Sequence, residues 1–229
     1  MMATREKTTG PLSREAIVAA AMALADADGV AKLSMRAVAR TLGVEAMSLY
    51  HHIPNKEAIL DAMVDEVFAE IHTPVAGGDW RAELRHRCVS ARAALKRHPW
   101  AVGLMDSRRN AGYETLKDHD AVLGCLFEAG FSLTLAGHAF ATIDAYLYGF
   151  MVQDLEMPFE EESELEEIAT AMLAGLPEEF THLRRFTLEH ALQPGYDFGN
   201  EFGYGLDLVL DSLADRLDEE LEATASEQE

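Results

Sequence analysis

The side chains best suited to chemistry lie between residues 34 and 56, in the segment SMRAVARTLGVEAMSLYHHIPNK. Its apolar residues recur at spacings of three and four on both sides of Gly43, which is the pattern of two short helices joined by a tight turn. The outward face of the second helix carries small and polar side chains, and such a face fits the major groove of DNA, which is about 12 Å wide. That face consists of Glu45, Ala46, Met47, Ser48, Tyr50 and His51.

Two short helices hold such a face in place only if they are wedged together. Ser34 is suited to cap the first of them, and the second is expected to end near His51. Gly43 can adopt the positive φ that the turn between them requires. The sequence therefore predicts a helix-turn-helix unit. The apolar residues spaced to pack its helices against each other and against a preceding helix are Val38, Ala39, Leu42, Val44 and Leu49.

Two further helices are predicted to flank this unit. Ser13 is a suitable cap for a first helix that runs to about Ala27. After the helix-turn-helix, Pro54 disfavours helical geometry at the residue before it. Asn55 can then cap a fourth helix that runs to about Glu70.

Charge is distributed unevenly along the chain. The net charge of −21 opposes contact with nucleic acid, because phosphate contacts dominate such binding. In residues 1–60, however, basic residues slightly outnumber acidic ones, so the acidic excess lies in the remainder. Only the first segment is therefore expected to face DNA, and repulsion keeps the remainder away from it.

A second unit is predicted after the linker TPVAGGD, which is rich in residues that interrupt helices. Apolar residues again recur at helical spacing, without the alternation typical of strands. We therefore predict an all-α fold in which a fourth helix joins an N-terminal three-helix unit to a larger helical domain. The predicted parts are a helix-turn-helix domain (1–60), a connecting helix (to about 72), a ligand-binding and dimerisation domain (79–222) and a frayed acidic tail (223–229). Helices of the larger domain are predicted from Asp79 to about Leu95 and over residues 100–106, 111–129, 133–156, 161–174, 178–191 and 199–222.

The residues after the tight turn carry a family resemblance. LGVE at residues 42–45, LY at 49–50 and NKEAIL at 55–60 resemble the DNA-binding domain of the TetR family of transcriptional regulators, over about residues 12–70. A helix-turn-helix alone is a common pattern, whereas this extension beyond it is specific. The resemblance implies a DNA-binding regulator.

The resemblance also implies DNA contacts position by position. Met35 and Arg36 match positions that contact the phosphate backbone or a base edge, and Arg36 is the better of the two because its guanidinium can form paired hydrogen bonds. For Tyr50, packing against the next helix is the alternative interpretation. For Met47, whose DNA contact would be with a thymine methyl group, the alternative is an exposed side chain without a role. The base-reading positions fall on Ala46, Met47 and Ser48, and the phosphate-contacting positions fall on Tyr50, His51 and Lys56.

The larger domain resembles the tetracycline-repressor class of C-terminal domains. The residues concerned are DWR at 79–81, YETL at 113–116, GFSL at 130–133 and the segment 198–210. In that class an internal helix and the last helix pair with their copies in a second subunit. The resemblance therefore implies a homodimer, whose two-fold symmetry suits a palindromic operator.

Two sequence features agree with a dimer. Gly137, Ala141 and Ala145 are spaced to let another helix approach closely. The last predicted helix also carries a long apolar stripe, which either pairs with a second subunit or belongs to the core of one subunit. The stripe consists of Phe202, Leu206, Leu210, Leu213 and Leu217.

Departures from the tetracycline-repressor class bear on the ligand. The histidine and glutamate that hold a magnesium–drug chelate there fall on Met105 and Gln153, which are poor ligands for a hard cation, so no metal or cofactor is expected. His72 matches an inducer-contacting histidine, with an ordinary surface histidine as the alternative. Arg87 and His119 match two further pocket positions. The side chains able to line a partly apolar cavity, or simply to form the core, are Trp100, Met105, Phe127, Phe140, Tyr146, Phe150 and Met151.

Other classes of protein fit the sequence less well. It contains no HExxH, no glycine-rich phosphate loop and no GxSxG, so an enzyme is not expected. Without an apolar run of 18 residues or an apolar N-terminal signal, a cytoplasmic protein is expected. Cys88 and Cys125 lack metal-site or redox spacing, so two buried thiols are expected rather than a redox pair.

The predicted function is that of a ligand-responsive transcriptional repressor. A homodimer would bind a double-stranded DNA operator, and a partly apolar small-molecule inducer would release it. The alternative is a constitutive DNA-binding regulator, or an activator, without a small-molecule ligand.

Overall fold

The computed structural model describes residues 11–105, 110–157 and 162–227. These residues form helices and connecting turns without any β-strand, so the predicted all-α fold is confirmed. Among them, no helix combines the length and the apolar content that crossing a membrane requires.

The N-terminal unit begins its helices at the predicted caps. The side-chain hydroxyl of Ser13 accepts a hydrogen bond from the backbone N–H of Ala16, and that of Ser34 accepts one from Ala37, each at 3.2 Å. Both bonds satisfy N–H groups that a helix start leaves unpaired. The helices are α1 (Arg14–Asp28), α2 (Met35–Leu42) and α3 (Ala46–Leu49).

Gly43 makes the turn between α2 and α3 with a φ of 70°, as predicted. However, α3 is shorter than predicted, because it ends at Leu49 rather than near His51. The backbone N–H groups of Tyr50 and His51 donate to carbonyls three residues earlier, which tightens the chain into a turn.

The larger domain matches the predicted segments closely in its first half. The predicted helix over residues 133–156 has those same bounds, and the one over 111–129 is shorter at each end. Residues 106 and 161, at the ends of two other predicted helices, lie outside the described residues. The helices are α5 (Trp80–Arg97), α6 (Val102–Met105), α7 (Tyr113–Glu128), α8 (Leu133–Glu156), α9 (Glu162–Gly175), α10 (Thr181–Phe186) and α11 (Glu201–Glu227).

Two predictions for the C-terminal part are wrong. Residues 178–191 are not one α-helix, because α10 is followed by a π-helical turn at Thr187–Ala191. The acidic tail is helical to Glu227 rather than frayed. The hydroxyls of Thr224 and Ser226 donate to carbonyls one turn earlier in this helix.

The apolar stripe of α11 lies inside the subunit. Its five side chains, from Phe202 to Leu217, are buried, and α11 packs along α8 and α5. The interpretation of this stripe as subunit core is therefore correct, and the stripe is not available for a second copy. Cys88 and Cys125 are buried free thiols, as predicted.

The connecting helix α4 (Lys56–Ala69) belongs to the cores of both units. Its start is capped as predicted, since Asn55 Oδ1 accepts a hydrogen bond from the N–H of Ala58 at 2.8 Å. The helix contacts α1 on the N-terminal side and α5 and α7 in the larger domain. Ile59, Met63 and Val67 are fully buried among these helices. Any displacement of α4 therefore changes the packing of the N-terminal unit and of the larger domain together.

Candidate DNA-binding surface and ligand cavity

The short helix α3 presents the predicted face to solvent. Met47 is 72% exposed and Tyr50 is 46% exposed, while Ser48 is half-buried. The fully buried Leu49 anchors the opposite side of α3 in the core of the N-terminal unit. The exposed face can therefore enter a groove of DNA.

Three basic side chains around this face have no acidic partner among the described residues. Arg36 is exposed on α2 and Lys56 is half-buried in the first turn of α4, and no described carboxylate lies within ion-pair distance of either. Arg40, one turn after Arg36, is also exposed, and no described carboxylate lies within ion-pair distance of it. In contrast, acidic side chains pair with every arginine of α5, namely Arg81, Arg85, Arg87, Arg92 and Arg97. Arg36 and Lys56, for which phosphate contact is predicted, are therefore free to make it.

Arg40 is not among the predicted DNA-contacting residues, although its i,i+4 spacing from Arg36 places it on the same face of α2. The other predicted DNA-contacting residues differ in exposure. His51 lies exposed in the turn after α3. Met35 and Ala46 are only partly exposed, because they also pack against the core of the N-terminal unit.

A cavity of about 200 Å3 lies beside α4, against α6 and the start of α7. It brings together two of the predicted ligand-binding residues, Met105 and His119. Phe140, a third, packs edge-on against the His119 ring at 5.2 Å, and Phe68 of α4 does so at 5.7 Å. The remaining lining residues are Asp61, Val64, Asn110, Ala111 and Thr115. Apolar and hydrogen-bonding groups thus share one wall, as in sites for small organic molecules.

The start of α7 is fastened to α4 next to this cavity. Oδ1 of Asp65 accepts hydrogen bonds from the backbone N–H and the hydroxyl of Thr115, at 2.9 and 3.0 Å. Gly112 precedes α7 without a capping side chain, and a Cβ atom built on it would overlap the Asp65 carboxyl group. Asp65 therefore caps α7 from another helix, and the missing side chain of Gly112 lets it come close enough.

Arg87, which matches a pocket position of the family, belongs to a buried ion network. It is 1% exposed, and its guanidinium donates twice to Asp118 and once to Asp144, at 2.8 to 2.9 Å. Burial alone would lower the pKa of Arg87, but the two carboxylates outweigh it and raise that pKa well above its usual range. Burial raises the pKa of Asp144, and Arg87 offsets this only in part. The network ties α5, α7 and α8 together.

The two remaining predicted ligand residues lie away from the cavity lining. His72 follows α4, and its Nε2 is 2.7 Å from Oε2 of Glu83 while its ring stacks on His86 at 3.8 Å. The hydrogen bond from His72 is the largest cause of the lowered pKa of Glu83. Gln153 is exposed on α8. A larger groove, of about 410 Å3 between α5 and the start of α11, contains none of the predicted site residues.

Comparisons with known proteins agree with this division of the chain. Residues 17–63 match the family model described as bacterial regulatory proteins of the tetR family, and residues 73–217 match the tetracyclin repressor-like C-terminal domain. The first match contains the helix-turn-helix. The second contains the buried network and the cavity residues that come from α6 and α7, whereas α4 supplies the other wall of the cavity from outside that match.

Individual relatives are transcriptional regulators. The HTH-type transcriptional repressor DrrR1 of Streptomyces coeruleorubidus is 32% identical over 219 residues, which cover 91% of this chain and 81% of DrrR1. An HTH-type transcriptional regulator of Saccharopolyspora erythraea is 37% identical over 146 residues, which span 63% of this chain and 62% of that protein.

A solved structure shares the fold. The TetR family protein ActR of Streptomyces coelicolor, in complex with actinorhodin, aligns with a TM-score of 0.73 at 23% identity, covering 91% of this chain and 99% of ActR. The relatives are DNA-binding regulators rather than enzymes. On both family models and on its similarity to DrrR1, the chain belongs to the TetR family of transcriptional regulators.

Proposed function

We propose that the protein is a homodimeric repressor that binds a palindromic DNA operator and leaves it when a small, partly apolar molecule binds the cavity beside α4. One observation carries the proposal: α4 begins next to the exposed DNA-facing surface and, within the same helix, forms a wall of the cavity. A ligand that fits the cavity better in one position of α4 than in another favours that position.

On DNA, α3 enters the major groove. Met47 and Ser48 face the bases together with Ala46, and Arg36 reaches a base edge or a phosphate from the start of α2. Tyr50, His51 and Lys56 hold the flanking phosphates. The unpaired state of Arg36 and Lys56 supports these roles, because no described ion pair has to break before they bind.

The second subunit is proposed to pack on α8 and α11. Gly137, Ala141 and Ala145 are all exposed on one side of α8, and a Cβ atom built on Gly137 meets nothing within 4 Å. Exposed Tyr204 and Leu208 lie on α11, which packs beside α8. Small residues let helices approach closely, and exposed apolar side chains favour their burial in an interface. In such a dimer the two copies of α3 lie about one turn of DNA apart.

The ligand is proposed to contact Met105, His119 and Phe140. ActR is a TetR family protein that binds actinorhodin, which supports a small organic molecule as the ligand class for this chain. His72 acts as a relay, because it lies between α4 and α5 and its backbone N–H donates to the Ser90 hydroxyl at 2.8 Å. Loss of ligand-induced release in His72→Ala, with ligand binding retained, is the expected signature of that relay.

DNA selection followed by titration tests the proposal. The protein is used to select duplexes from a random-sequence library, and its affinity for a selected duplex is measured at increasing salt. We expect a palindromic consensus and a linear fall of log affinity with log salt concentration. Selected sequences without two-fold symmetry would contradict the proposed dimer on DNA, and failure to bind any duplex at low salt would contradict the function itself.

A small-molecule screen on the same complex separates the two regulator classes. Release of the selected duplex by compounds that bind the cavity is expected for the ligand-responsive repressor. A complex that no bound compound releases favours the constitutive regulator instead. Met105→Trp, which fills the cavity, is expected to abolish release while leaving DNA affinity unchanged.

A further inference from the structure

A histidine at the end of α5 lies between two carboxylates from other helices. Nδ1 of His98 is 2.8 Å from Oδ1 of Asp26 on α1, and its Nε2 is 3.1 Å from Oε1 of Glu70, the residue that ends α4. His98 is only 8% exposed. One ring thus joins the N-terminal unit, the connecting helix and the larger domain at a single point.

Two other side chains complete this cluster. Arg97 donates to Oε2 of Glu70, at 3.1 Å from its Nε. The indole N–H of Trp100 donates to Oδ1 of Asp26 at 2.6 Å. The centroids of the Trp100 and His98 rings lie 5.8 Å apart. The two carboxylates and the guanidinium together carry one net negative charge, which a protonated His98 would balance.

Both short contacts of the ring are hydrogen bonds only if the ring carries that proton. A neutral imidazole has one N–H donor, so its other nitrogen would point a lone pair at a carboxylate oxygen. Only the imidazolium donates to both Asp26 and Glu70. At Glu70, burial alone would raise the pKa, but hydrogen bonds from Arg97 and His98 outweigh it and lower that pKa.

We propose that His98, as an imidazolium, is the positioning residue that fixes the DNA-binding unit on the larger domain, and that this joint loosens when His98 loses its proton. Histidine is the side chain that commonly changes charge between about pH 5 and 8. Loss of that proton therefore loosens the orientation of α1 and α4 on the larger domain. Glu70, with its lowered pKa, stays ionised between about pH 5 and 8.

Two substitutions separate the proton from the packing. Glu70→Gln offers its amide N–H to Nε2 of a neutral His98 and its carbonyl to Arg97, so the joint no longer needs the imidazolium. His98→Gln places an amide oxygen against one of the two carboxylates at any pH. His182→Gln is the matched control, because His182 is an exposed histidine on α10.

Amide hydrogen exchange in the C-terminal half of α1 and the end of α4 reports on the joint directly. After correction for intrinsic exchange, we expect wild-type protection to fall about tenfold between pH 6.5 and 8.5, and the control to behave alike. Glu70→Gln should stay protected at both pH values, and His98→Gln should be unprotected at both. Wild-type protection that does not change with pH, or a Glu70→Gln profile identical to wild type, would overturn the inference.

Nitrogen-15 spectra of the His98 ring give a second readout. At pH 6.5 both ring nitrogens of the wild type should carry protons, whereas in Glu70→Gln only Nδ1 should. A neutral ring in the wild type at pH 6.5 would also overturn the inference. This spectrum and hydrogen exchange need no DNA.

The inference rests on the proposed function only for its effect on DNA. As pH rises from 6.5 to 8.5 at constant salt, the affinity of the wild type for its selected duplex should fall more steeply than that of Glu70→Gln. If no duplex is bound at all, the proposed function fails, while the exchange and spectral results still decide the role of His98. If DNA is bound with the same pH profile in both proteins, the inference fails and the proposed function stands.

Discussion

At the scale of single residues, freedom from partners distinguishes the DNA-facing side chains. The arginines of α5 are held by carboxylates and contribute to structure, whereas Arg36 and Arg40 project from α2 without a described acidic partner. In a chain with a net charge of −21, an unpaired cation is an exception that needs a reason. Phosphate contact supplies one, because it depends on charge that no neighbouring acid neutralises.

Replacing Arg36 tests this point. Arg36→Ala should weaken binding to the selected duplex by about 1–3 kcal/mol without changing the thermal unfolding of the protein. Arg216→Ala is the control, because Arg216 is exposed on α11 and pairs with Glu219. Fluorescence anisotropy with labelled duplex measures the DNA affinity of both variants. Equal effects of the two substitutions would mean that Arg36 contributes only general charge.

The cysteines give a prediction on pH. Burial raises the pKa of the Cys88 thiol to about 12, above the value of about 8.5 for an unfolded cysteine. Its contribution to stability is therefore complete below about pH 8.5 and is lost as pH rises from there towards 12, because the unfolded chain releases the proton first. At pH 8, a thiol reagent should label the cysteines of the folded protein slowly. In urea, the same reagent should label both cysteines quickly. Rapid labelling of Cys88 in the folded protein would contradict its burial.

At the scale of helices, the larger domain depends on one arginine. Arg87 on α5 joins Asp118 of α7 to Asp144 of α8, and no other described cation makes these bonds. Because all three side chains are buried or nearly so, water has little access to the network. The network holds two carboxylates and one guanidinium, so loss of the guanidinium would leave two negative charges without a partner.

Arg87→Ala should therefore destabilise the protein by about 3–5 kcal/mol, since two carboxylates lose their partner in the interior. Urea unfolding measures the change. Arg185→Ala is the control. It breaks an exposed ion pair between Arg185 on α10 and Glu189 in the π-helical turn that follows, and should lower the free energy of unfolding by no more than about 1 kcal/mol. Unfolding at the same urea concentration in both variants would show that the Arg87 network is dispensable for the fold.

The helices differ in how much of their placement local sequence predicts. Caps at Ser13, Ser34 and Asn55 fixed where helices begin, and Gly43 fixed the turn, because each acts through neighbours within four residues. Local signals also allowed the residues of α3 to be assigned to its exposed face. The shorter end of α3 depends on weak hydrogen bonds of a single turn, which the spacing of apolar residues does not reveal.

Contacts between distant residues were beyond such prediction. Asp26 and His98 are 72 positions apart, and nothing in either neighbourhood specifies their meeting. Arg87 was assigned to a pocket by its resemblance, whereas the structure surrounds it with two carboxylates from helices that follow it in the chain. The cavity likewise takes Met105 from one helix and His119 from another, so only folding brings the predicted pair together.

At the scale of the whole molecule, the exposed small residues of α8 are proposed to meet a second copy. Ala141→Arg should convert the dimer to a monomer, because a long charged side chain cannot be accommodated between closely packed helices. Light scattering after size exclusion measures the mass. Ala82→Arg, at an exposed position on α5, should leave the dimer intact. A dimeric Ala141→Arg protein would place the subunit contact elsewhere.

Because α4 serves two cores at once, exchange of DNA-binding units between relatives has no clean junction. A chimera cut before residue 56 would pair a foreign first helix with the native Ile59 and Met63, whereas a cut after residue 69 would remove Asp65 from Thr115 and Phe68 from His119. Functional hybrids should therefore need a mosaic α4, in which residues facing the first unit come from one parent and those facing the second come from the other. Recombination within this fold is constrained by helix face rather than by chain position.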